Sequence, residues 1–216
     1  MLQLQAEMKA KLYAAVLSDV LDDLGYRQQV MHPSIRPLVN QGILMGRART
    51  MLAVPEFEAQ GIPLRAQMEA TDALAEGDVV VAHTSQVQSC AFWGELFSTA
   101  ALARGCRGAI TDGYIRDTRM LLEMQFPVYS KGIYAVSSKG RMTVSAFDVP
   151  IACGGVLVRS GDIVFAEFDG IVVIPAAVAD TTIERALDIV SKEDGMREAL
   201  RSGLSMQAAW EKFRVL

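Results

Sequence analysis

The chain is poor in the residues that build disulfides and metal clusters. Its 216 residues include three cysteines, Cys90, Cys106 and Cys153, and two histidines, His32 and His83. Widely spaced cysteines in odd number do not form a disulfide framework, which favours a reducing cytoplasm and buried apolar roles for all three. Neither histidine has a second His or Cys at ligand spacing, and this argues against a zinc site.

Positive charge and long apolar runs are also missing. The net charge is -4, and no run of Lys or Arg forms the basic stripe that phosphate neutralisation needs. No uncharged apolar segment approaches the length of a membrane span. Residues 1–11 are polar and lack the basic start and apolar stretch of a secretory signal. We therefore expect a cytoplasmic protein with neither nucleic acid nor membrane as a partner.

Apolar residues, by contrast, are abundant, at 51% of the chain. A chain of this length fits one domain and buries roughly 70% of the surface that the unfolded chain exposes. We therefore predict a single domain over residues 1–216. Two explanations of the apolar excess stay open: surface buried between subunits, or a large core rich in Ala and Val.

The pattern of apolar residues, glycines and prolines predicts a mixed α/β fold. A helix over residues 9–25 begins the chain, and a long helix from Ala176 to about Arg201 follows a mostly β-type region over residues 127–174. Between the two ends lies an alternating series of strands and helices: Val79–Ala82, Leu96–Arg104, Gly108–Thr111 and Ile115–Met124.

The first chemically informative segment is Gly94-Glu95-Leu96-Phe97. Because Gly94 precedes a predicted helix, the amides of Glu95, Leu96 and Phe97 should lack partners within that helix. Free amides at a helix start bind anions such as a carboxylate or an enolate oxygen. Considered alone, the same segment fits an ordinary helix start that water satisfies.

The second informative segment is Arg116-Asp117, which follows the turn Asp112-Gly113. Arg can bracket a carboxylate with two parallel hydrogen bonds. Asp117 is a hard oxygen ligand, suited to Mg²⁺ or Mn²⁺ with water in the other positions. The alternative is a surface ion pair at a helix start, worth about 0–1 kcal/mol.

Together the two segments are more informative than either alone. Consecutive β–α connections in a sheet place their turns on the same side, so Glu95 and Arg116 should lie close together. Glu95 would then face the water shell of a metal ion that Asp117 ligates. The carboxylate of a 2-oxo acid would sit between Arg116 and the helix amides.

The segment from Gly94 to Asp117 resembles the 4-hydroxy-4-methyl-2-oxoglutarate / 4-carboxy-4-hydroxy-2-oxoadipate aldolases, a family grouped with the regulator of ribonuclease activity A. In these aldolases an acidic residue, twenty intervening residues and an Arg-Asp pair mark the active site, and Glu95, Arg116 and Asp117 match them. The acidic position is Glu here, where Asp is also found. Further landmarks extend the resemblance over about residues 15–200: Leu17–Val20, Glu76–Val81, Gly161–Val164 and Phe168–Pro175.

The resemblance implies a layered β/β/α sandwich of the swivelling type and a class II aldolase that uses Mg²⁺ or Mn²⁺. Such an enzyme cleaves a 4-hydroxy-2-oxo acid to pyruvate, and oxaloacetate decarboxylation is the expected companion activity. It further implies a homotrimer or homohexamer with sites at subunit interfaces, where a neighbouring subunit can supply an acid. Glu193 is the candidate for that acid, although it also fits the charged face of a helix.

Other readings of the sequence remain. A Schiff-base aldolase would need a desolvated lysine, and only Lys131, at a strand entry, comes near this requirement. A surface role or an anion contact explains Lys131 as well. A non-catalytic regulator that binds and inhibits a ribonuclease is the competing function, and the intact Arg116-Asp117 pair argues against it. The sequence does not identify the substrate beyond a 2-oxo acid.

Overall fold

The structure is a computed structural model and describes residues 10–40, 42–58 and 61–215. Its α-helices are α1 Ala14–Asp23, α2 Arg65–Asp72, α3 Glu95–Ala103, α4 Thr118–Glu123, α5 Ala179–Arg201 and α6 Met206–Phe213. A short 3₁₀ turn, Ala176–Val178, leads into α5.

The strands fall into three sheets. They are β1 Arg36–Pro37, β2 Leu44–Pro55, β3 Asp78–His83, β4 Ala91–Trp93, β5 Gly108–Thr111, β6 Tyr114–Ile115, β7 Val128–Ser130, β8 Gly132–Ile133, β9 Met142–Phe147, β10 Ile151–Cys153, β11 Val156–Val158, β12 Ile163–Ala166 and β13 Ile171–Ile174. The main sheet has the order β1-β7-β5-β3-β2-β12-β13, with β9 also paired to β2, while β4-β6-β8 and β10-β11 form small sheets.

Alternating side chains on the main sheet build separate cores on its two faces. On β3, Val79 and Val81 join the core beneath the β10–β11 hairpin, whereas Val80 and Ala82 join the core beneath α2, α3 and α4. Helices α1 and α5 cover the same side of β12 and β13 with a third core, which includes the fully buried Phe165. The hairpin, the sheet and the helices are thus three layers, which confirms the predicted β/β/α architecture.

Three of the parallel strands of the main sheet, β3, β5 and β7, continue into the sheet that carries the site. Strand β5 leads into β6 through residues 112–113, and β7 leads into β8 through residue 131. Strand β3 reaches β4 only after residues 84–90, where Ser85 and Gln86 have positive φ. Since β4, β6 and β8 are parallel, their carboxyl ends lie at one edge.

The structure differs from the sequence prediction at one important element. The predicted helix over Ile115–Met124 is wrong in its first part, because Tyr114–Ile115 is strand β6 and the helix begins at Thr118. A two-residue strand carries no periodicity of its own and exists only because β4 and β8 pair with it. Strands β4 and β10 were also not predicted.

No helix within residues 10–40, 42–58 and 61–215 combines the length and the apolar character that crossing a membrane requires.

Helix α1 is held to the sheet by an acceptor from a distant part of the chain. Its N-cap residue, Tyr13, provides no side-chain cap. The amide of Ala14 donates instead to Glu167 Oε1 at 2.6 Å, across the turn between β12 and β13. A carboxylate at this position satisfies an unpaired amide and interacts favourably with the helix dipole.

We predict that Glu167→Ala lowers the free energy of unfolding by about 1 kcal/mol, the usual cost of a lost N-terminal cap. Urea denaturation followed by circular dichroism measures the change. Asp169→Ala is the matched control, since Asp169 is exposed in the same turn and makes no hydrogen bond within the described residues. Equal losses in the two variants would contradict the capping role.

Candidate functional site

Asp117 stands at the end of β6 in a conformation that few residues adopt. The amide of Arg116 donates to Trp93 O at 3.0 Å, which extends the pairing of β6 with β4 by one residue. Asp117 then turns into the left-handed region, with φ 59° and ψ 33°, and precedes α4. Asp tolerates this region better than most residues. The turn separates the strand direction from the helix direction within one residue.

A hydrogen bond connects Asp117 to the start of α3. Asp117 Oδ2 accepts from the amide of Glu95 at 3.2 Å. Gly94 makes this approach possible, because a Cβ at Gly94 would lie 2.6 Å from Asp117 Oδ2 and 3.3 Å from Arg116 Cγ. The φ of Gly94 is −160°, which any residue can adopt, so the requirement for glycine here is one of space. The structure therefore brings the two predicted segments together.

The side chain of Glu95 is held by its own helix. Its Oε1 accepts from Thr99 Oγ1, one turn later, at 2.7 Å. Glu95 thus touches Asp117 through its main chain, while its carboxylate is oriented by Thr99. The sequence analysis did not identify Thr99, although its spacing of four residues from Glu95 is the helical signal for such a contact.

The start of α3 is anchored from the buried side. Trp93 Nε1 donates to Ser98 Oγ at 2.7 Å, and that hydroxyl donates to Gly94 O at 3.0 Å. Both side chains are buried, so the anchor is shielded from water. Of the three amides predicted to be free, that of Glu95 is taken by Asp117. Those of Leu96 and Phe97 have no acceptor among the described residues.

The guanidinium of Arg116 is available for a ligand. Its Nε lies 3.6 Å from Asp117 Oδ2, and its side chain is 39% exposed. An ion pair this exposed contributes little to stability. The guanidinium donates no hydrogen bond within the part of the chain that the structure describes. It therefore retains the planar array of donors that brackets a carboxylate.

Asp112 secures the connection that carries Arg116 and Asp117. Its Oδ1 accepts from the amide of Thr84 at 2.8 Å, and its Oδ2 lies 2.5 Å from His83 Nδ1. The next residue, Gly113, packs on Thr84, where an added Cβ would lie 2.6 Å from Cγ2. The connection is thus attached to the end of β3. The sequence analysis treated Asp112 only as a turn residue.

Glu193 and Lys131, the two other candidates from the sequence, make their contacts elsewhere in the chain. Glu193 accepts a hydrogen bond from Tyr13 Oη and lies 3.7 Å from Arg197, so its carboxylate is engaged within the chain. Burial, together with that hydrogen bond, raises the pKa of Tyr13. Lys131 is exposed, and its amide donates to Gly113 O at 2.9 Å. Neither side chain contacts Glu95, Arg116 or Asp117.

The cysteines do not belong to the site. Cys90, Cys106 and Cys153 are free and buried. Burial raises the pKa of the Cys106 and Cys153 thiols, which disfavours the reactive thiolate.

The residues at the site fit a hard, water-rich cation. Asp117 Oδ1 accepts no hydrogen bond from the described residues, and the side chain is 32% exposed. Mg²⁺ typically binds one or two carboxylates, keeps several waters and takes further oxygens from the substrate. Within the described chain no three His, Cys, Asp or Glu side chains form a metal cluster, so a protein-only cage is not built here. Asp117 is the residue that could hold such an ion.

Comparisons with known proteins agree with the fold. A helix start and an Arg-Asp step meet at the edge of a small parallel sheet in a mixed α/β protein. The family model described as "RraA-like: Aldolase/RraA" matches residues 14–173. The chain belongs to this family.

Individual relatives carry different names. A protein of Halalkalibacterium halodurans, provisionally named a 4-hydroxy-4-methyl-2-oxoglutarate aldolase, is 29% identical over 91% of this chain and 89% of its own. Protein DlpA of Legionella pneumophila is 28% identical over 93% of this chain and 32% of its own, so the chain spans about a third of that relative. The structure of Streptomyces coelicolor RraAS2, described as an unusual member of the RNase ES inhibitor RraA family, has a TM-score of 0.78 at 27% identity and covers 89% of this chain and 96% of its own.

We predict that Gly94→Ala weakens Mn²⁺ binding by about 10- to 100-fold, the usual effect of disturbing the surroundings of a metal ligand. The added methyl group would displace the Asp117 carboxylate. Electron paramagnetic resonance titration of free Mn²⁺ measures the affinity. Gly170→Ala is the control, because a Cβ there would meet only Val30, at 3.8 Å. Unchanged Mn²⁺ affinity in Gly94→Ala would exclude Asp117 as the ligand.

Proposed function

We propose that this protein is a divalent-metal-dependent aldolase that cleaves a 4-hydroxy-2-oxo acid, such as 4-hydroxy-4-methyl-2-oxoglutarate, to pyruvate. Oxaloacetate decarboxylation is its companion activity, since both reactions pass through the enolate of pyruvate. The single observation that carries the proposal is the convergence of Glu95, Arg116 and Asp117, with Asp117 Oδ2 3.2 Å from the amide of Glu95. The provisional aldolase names of several relatives support it.

Substrate binding follows from the donors that the chain leaves unused. The carboxylate of the 2-oxo acid pairs with the Arg116 guanidinium through charge-assisted hydrogen bonds. The amides of Leu96 and Phe97, at the positive end of the α3 dipole, bind a second anionic oxygen. Gly94 permits this arrangement, because the Asp117 carboxylate and Arg116 Cγ occupy the space that a side chain at Gly94 would fill.

Asp117 is the proposed ligand of Mg²⁺ or Mn²⁺, through the carboxylate oxygen that no described residue occupies. When bound, such an ion would stabilise negative charge that develops on the keto oxygen. Arg116 and the two free amides stabilise the same charge from the protein side. Preorganised donors of this kind commonly contribute the largest share of a rate enhancement.

Glu95 is proposed to orient a water molecule that acts as the acid–base partner. Cleavage needs a base for the proton of the 4-hydroxyl group and an acid for the pyruvate enolate. The contact from Thr99 limits the rotamers of the Glu95 side chain and keeps one of its oxygens occupied. The other oxygen then remains for the water.

The remaining parts of the proposal concern the assembly. We propose one domain over residues 1–216, in the cytoplasm, as a homotrimer or homohexamer whose sites lie between subunits. In such an assembly Glu193 could reach a neighbouring site only by exchanging its contacts with Tyr13 and Arg197. Lys131 has no role in the reaction as proposed.

A second function has one observation in its favour. RraAS2, whose fold this chain shares, is described as a member of an RNase inhibitor family. A non-catalytic regulator would bind a ribonuclease. It would not need an Asp117 oxygen that no described residue occupies, beside a guanidinium that donates no hydrogen bond within the described residues. Assays of pyruvate release and of ribonuclease inhibition on one preparation separate the two functions.

We predict that Asp117→Asn lowers metal-dependent pyruvate release by at least about 100-fold, because the ligand charge is lost. Asn tolerates the left-handed conformation, so the backbone can stay as it is. A coupled lactate dehydrogenase assay with and without Mg²⁺ measures the rate. Asp169→Asn in an exposed turn is the control. Full activity of Asp117→Asn would exclude the proposed mechanism.

We predict that Thr99→Val, which keeps the side-chain shape, lowers kcat by about 3- to 30-fold, a smaller loss than the 10²–10⁴-fold worth of the whole acid–base group. Thr99→Ser, which retains the hydroxyl, should restore most of the rate. Steady-state kinetics measure both variants. A rise in KM with unchanged kcat would show that Thr99 serves binding rather than orientation of Glu95.

A further inference from the structure

The small sheet presents an aromatic face beside the site. Tyr114 and Arg116 are two residues apart on the extended chain, so their side chains leave the sheet on the same face. Ile115, between them, is fully buried in the core under the helices. Tyr114 therefore shares the face of Arg116, away from that core.

The register of β8 brings a second tyrosine to this face. Tyr114 pairs with Gly132 and Ile115 with Ile133. The amide of Tyr134 donates to Ile115 O at 2.9 Å, which continues the ladder. In this parallel pairing Tyr134 lies opposite Arg116.

The two rings pack on each other and leave one of them accessible. The centroids of Tyr114 and Tyr134 are 5.9 Å apart, with an angle of 69° between the ring planes. The Tyr114 ring lies over Gly132, where an added Cβ would be 3.5 Å from Cδ1. Tyr134 is 41% exposed, although it packs edge-to-face on its neighbour. We name Tyr114 and Tyr134 the tyrosine pair.

Strands β4, β6 and β8 and the residues that directly follow them carry one cation. Among residues 91–94, 113–117 and 132–134 the single Lys or Arg is Arg116. Arg119 is 84% exposed and faces Glu123 at 3.9 Å. Lys131 lies in the bend between β7 and β8 and belongs to neither strand. Because Arg116 binds the carboxylate at the reacting end, no cation of these strands remains for a second carboxylate.

We propose that the tyrosine pair is the wall that receives the distal half of the substrate, the part released as the second carbonyl compound. The proposal rests on the aldolase function proposed above and names its substrate class. The preferred substrate is a 4-hydroxy-2-oxo acid whose distal group is uncharged and aromatic or aliphatic. A distal carboxylate would lose hydration against aromatic rings, and strands β4, β6 and β8 carry no second cation to replace the water.

The reaction balances without a further reactant. The proton of the 4-hydroxyl group passes to the base, and the bond between C3 and C4 breaks with its electron pair moving to C3. C4 becomes the carbonyl carbon of the released aldehyde or ketone. The pyruvate enolate then takes up one proton at C3.

The test compares two substrates on the full chain with Mg²⁺. They are 4-hydroxy-2-oxo-4-phenylbutanoate, which releases benzaldehyde, and 4-hydroxy-4-methyl-2-oxoglutarate, which carries a second carboxylate. We expect kcat/KM for the phenyl substrate to be higher on the order of tenfold, from the contact of the phenyl group with the tyrosine pair. Oxaloacetate decarboxylation is measured alongside, because that substrate has no group beyond the one that leaves.

Variants at Tyr134 and at its neighbour Ile133 test whether the preference for the phenyl substrate comes from the tyrosine pair. Tyr134→Ala should lower kcat/KM for the phenyl substrate by about two- to tenfold, mainly through KM, and lower its ratio to oxaloacetate decarboxylation. Tyr134→Phe keeps the ring and should restore the preference. Ile133→Ala, one residue away on the other face, should leave both rates unchanged.

The outcomes separate the two proposals. Pyruvate release with the dicarboxylate preferred, or an equal loss for both substrates in Tyr134→Ala, overturns the role of the tyrosine pair alone. If no substrate, oxaloacetate included, releases pyruvate, the proposed aldolase function is overturned, and the role of the tyrosine pair is overturned with it.

Discussion

The hydrogen bond from the Glu95 amide to Asp117 Oδ2 is the constraint on which the site depends. It joins the start of α3 to the end of β6, and it exists only because Gly94 has no side chain to fill the space between them. One oxygen of Asp117 is fixed in this way, so the other is directed away from the helix start. The bond also occupies the amide of Glu95, while the amides of Leu96 and Phe97 have no acceptor among the described residues.

Buried polar contacts on both sides hold that bond in place. Trp93 and Ser98 fix the start of α3, and Asp112 with Thr84 fixes the beginning of the connection to Asp117. Both sets lie in low-dielectric surroundings, where hydrogen bonds are strong and rearrangement is costly. Asp117 is therefore kept in a left-handed conformation that an isolated chain would rarely populate.

Local signals accounted for much of the fold. Gly25, Gly105 and Gly203 follow the ends of helices with φ of 87°, 75° and 96°, a conformation that favours glycine, and Ser205 caps α6 by accepting from Ala208. Strand β5 lies at Gly108–Thr111, where it was predicted. Each of these features depends on residues within one turn or strand.

Features that depend on distant partners were not predictable in the same way. Strand β6 exists through β4 and β8, and the Glu95 carboxylate faces Thr99 on its own helix while its amide meets Asp117. Asp112, which follows β5, contacts His83 and Thr84 at the end of β3. A single sequence shows which residues carry chemistry, but the pairing of separate strands decides which of their atoms meet.

The links between the main sheet and the β4-β6-β8 sheet differ in length, and this leaves one place where the structure can vary. The links at residues 112–113 and at residue 131 are too short to change without shifting β6 or β8. The link over residues 84–90 is longer and exposes residues 86, 88 and 89 between the buried Thr84 and Cys90. Loop closure costs only about 0.6 kcal/mol for each doubling of length, so the exposed part of this link can be rebuilt at little cost while Thr84 keeps its contact with Asp112. Evolution, or a protein engineer, can therefore change the exposed part of the link between β3 and β4 while the geometry around residue 117 stays fixed.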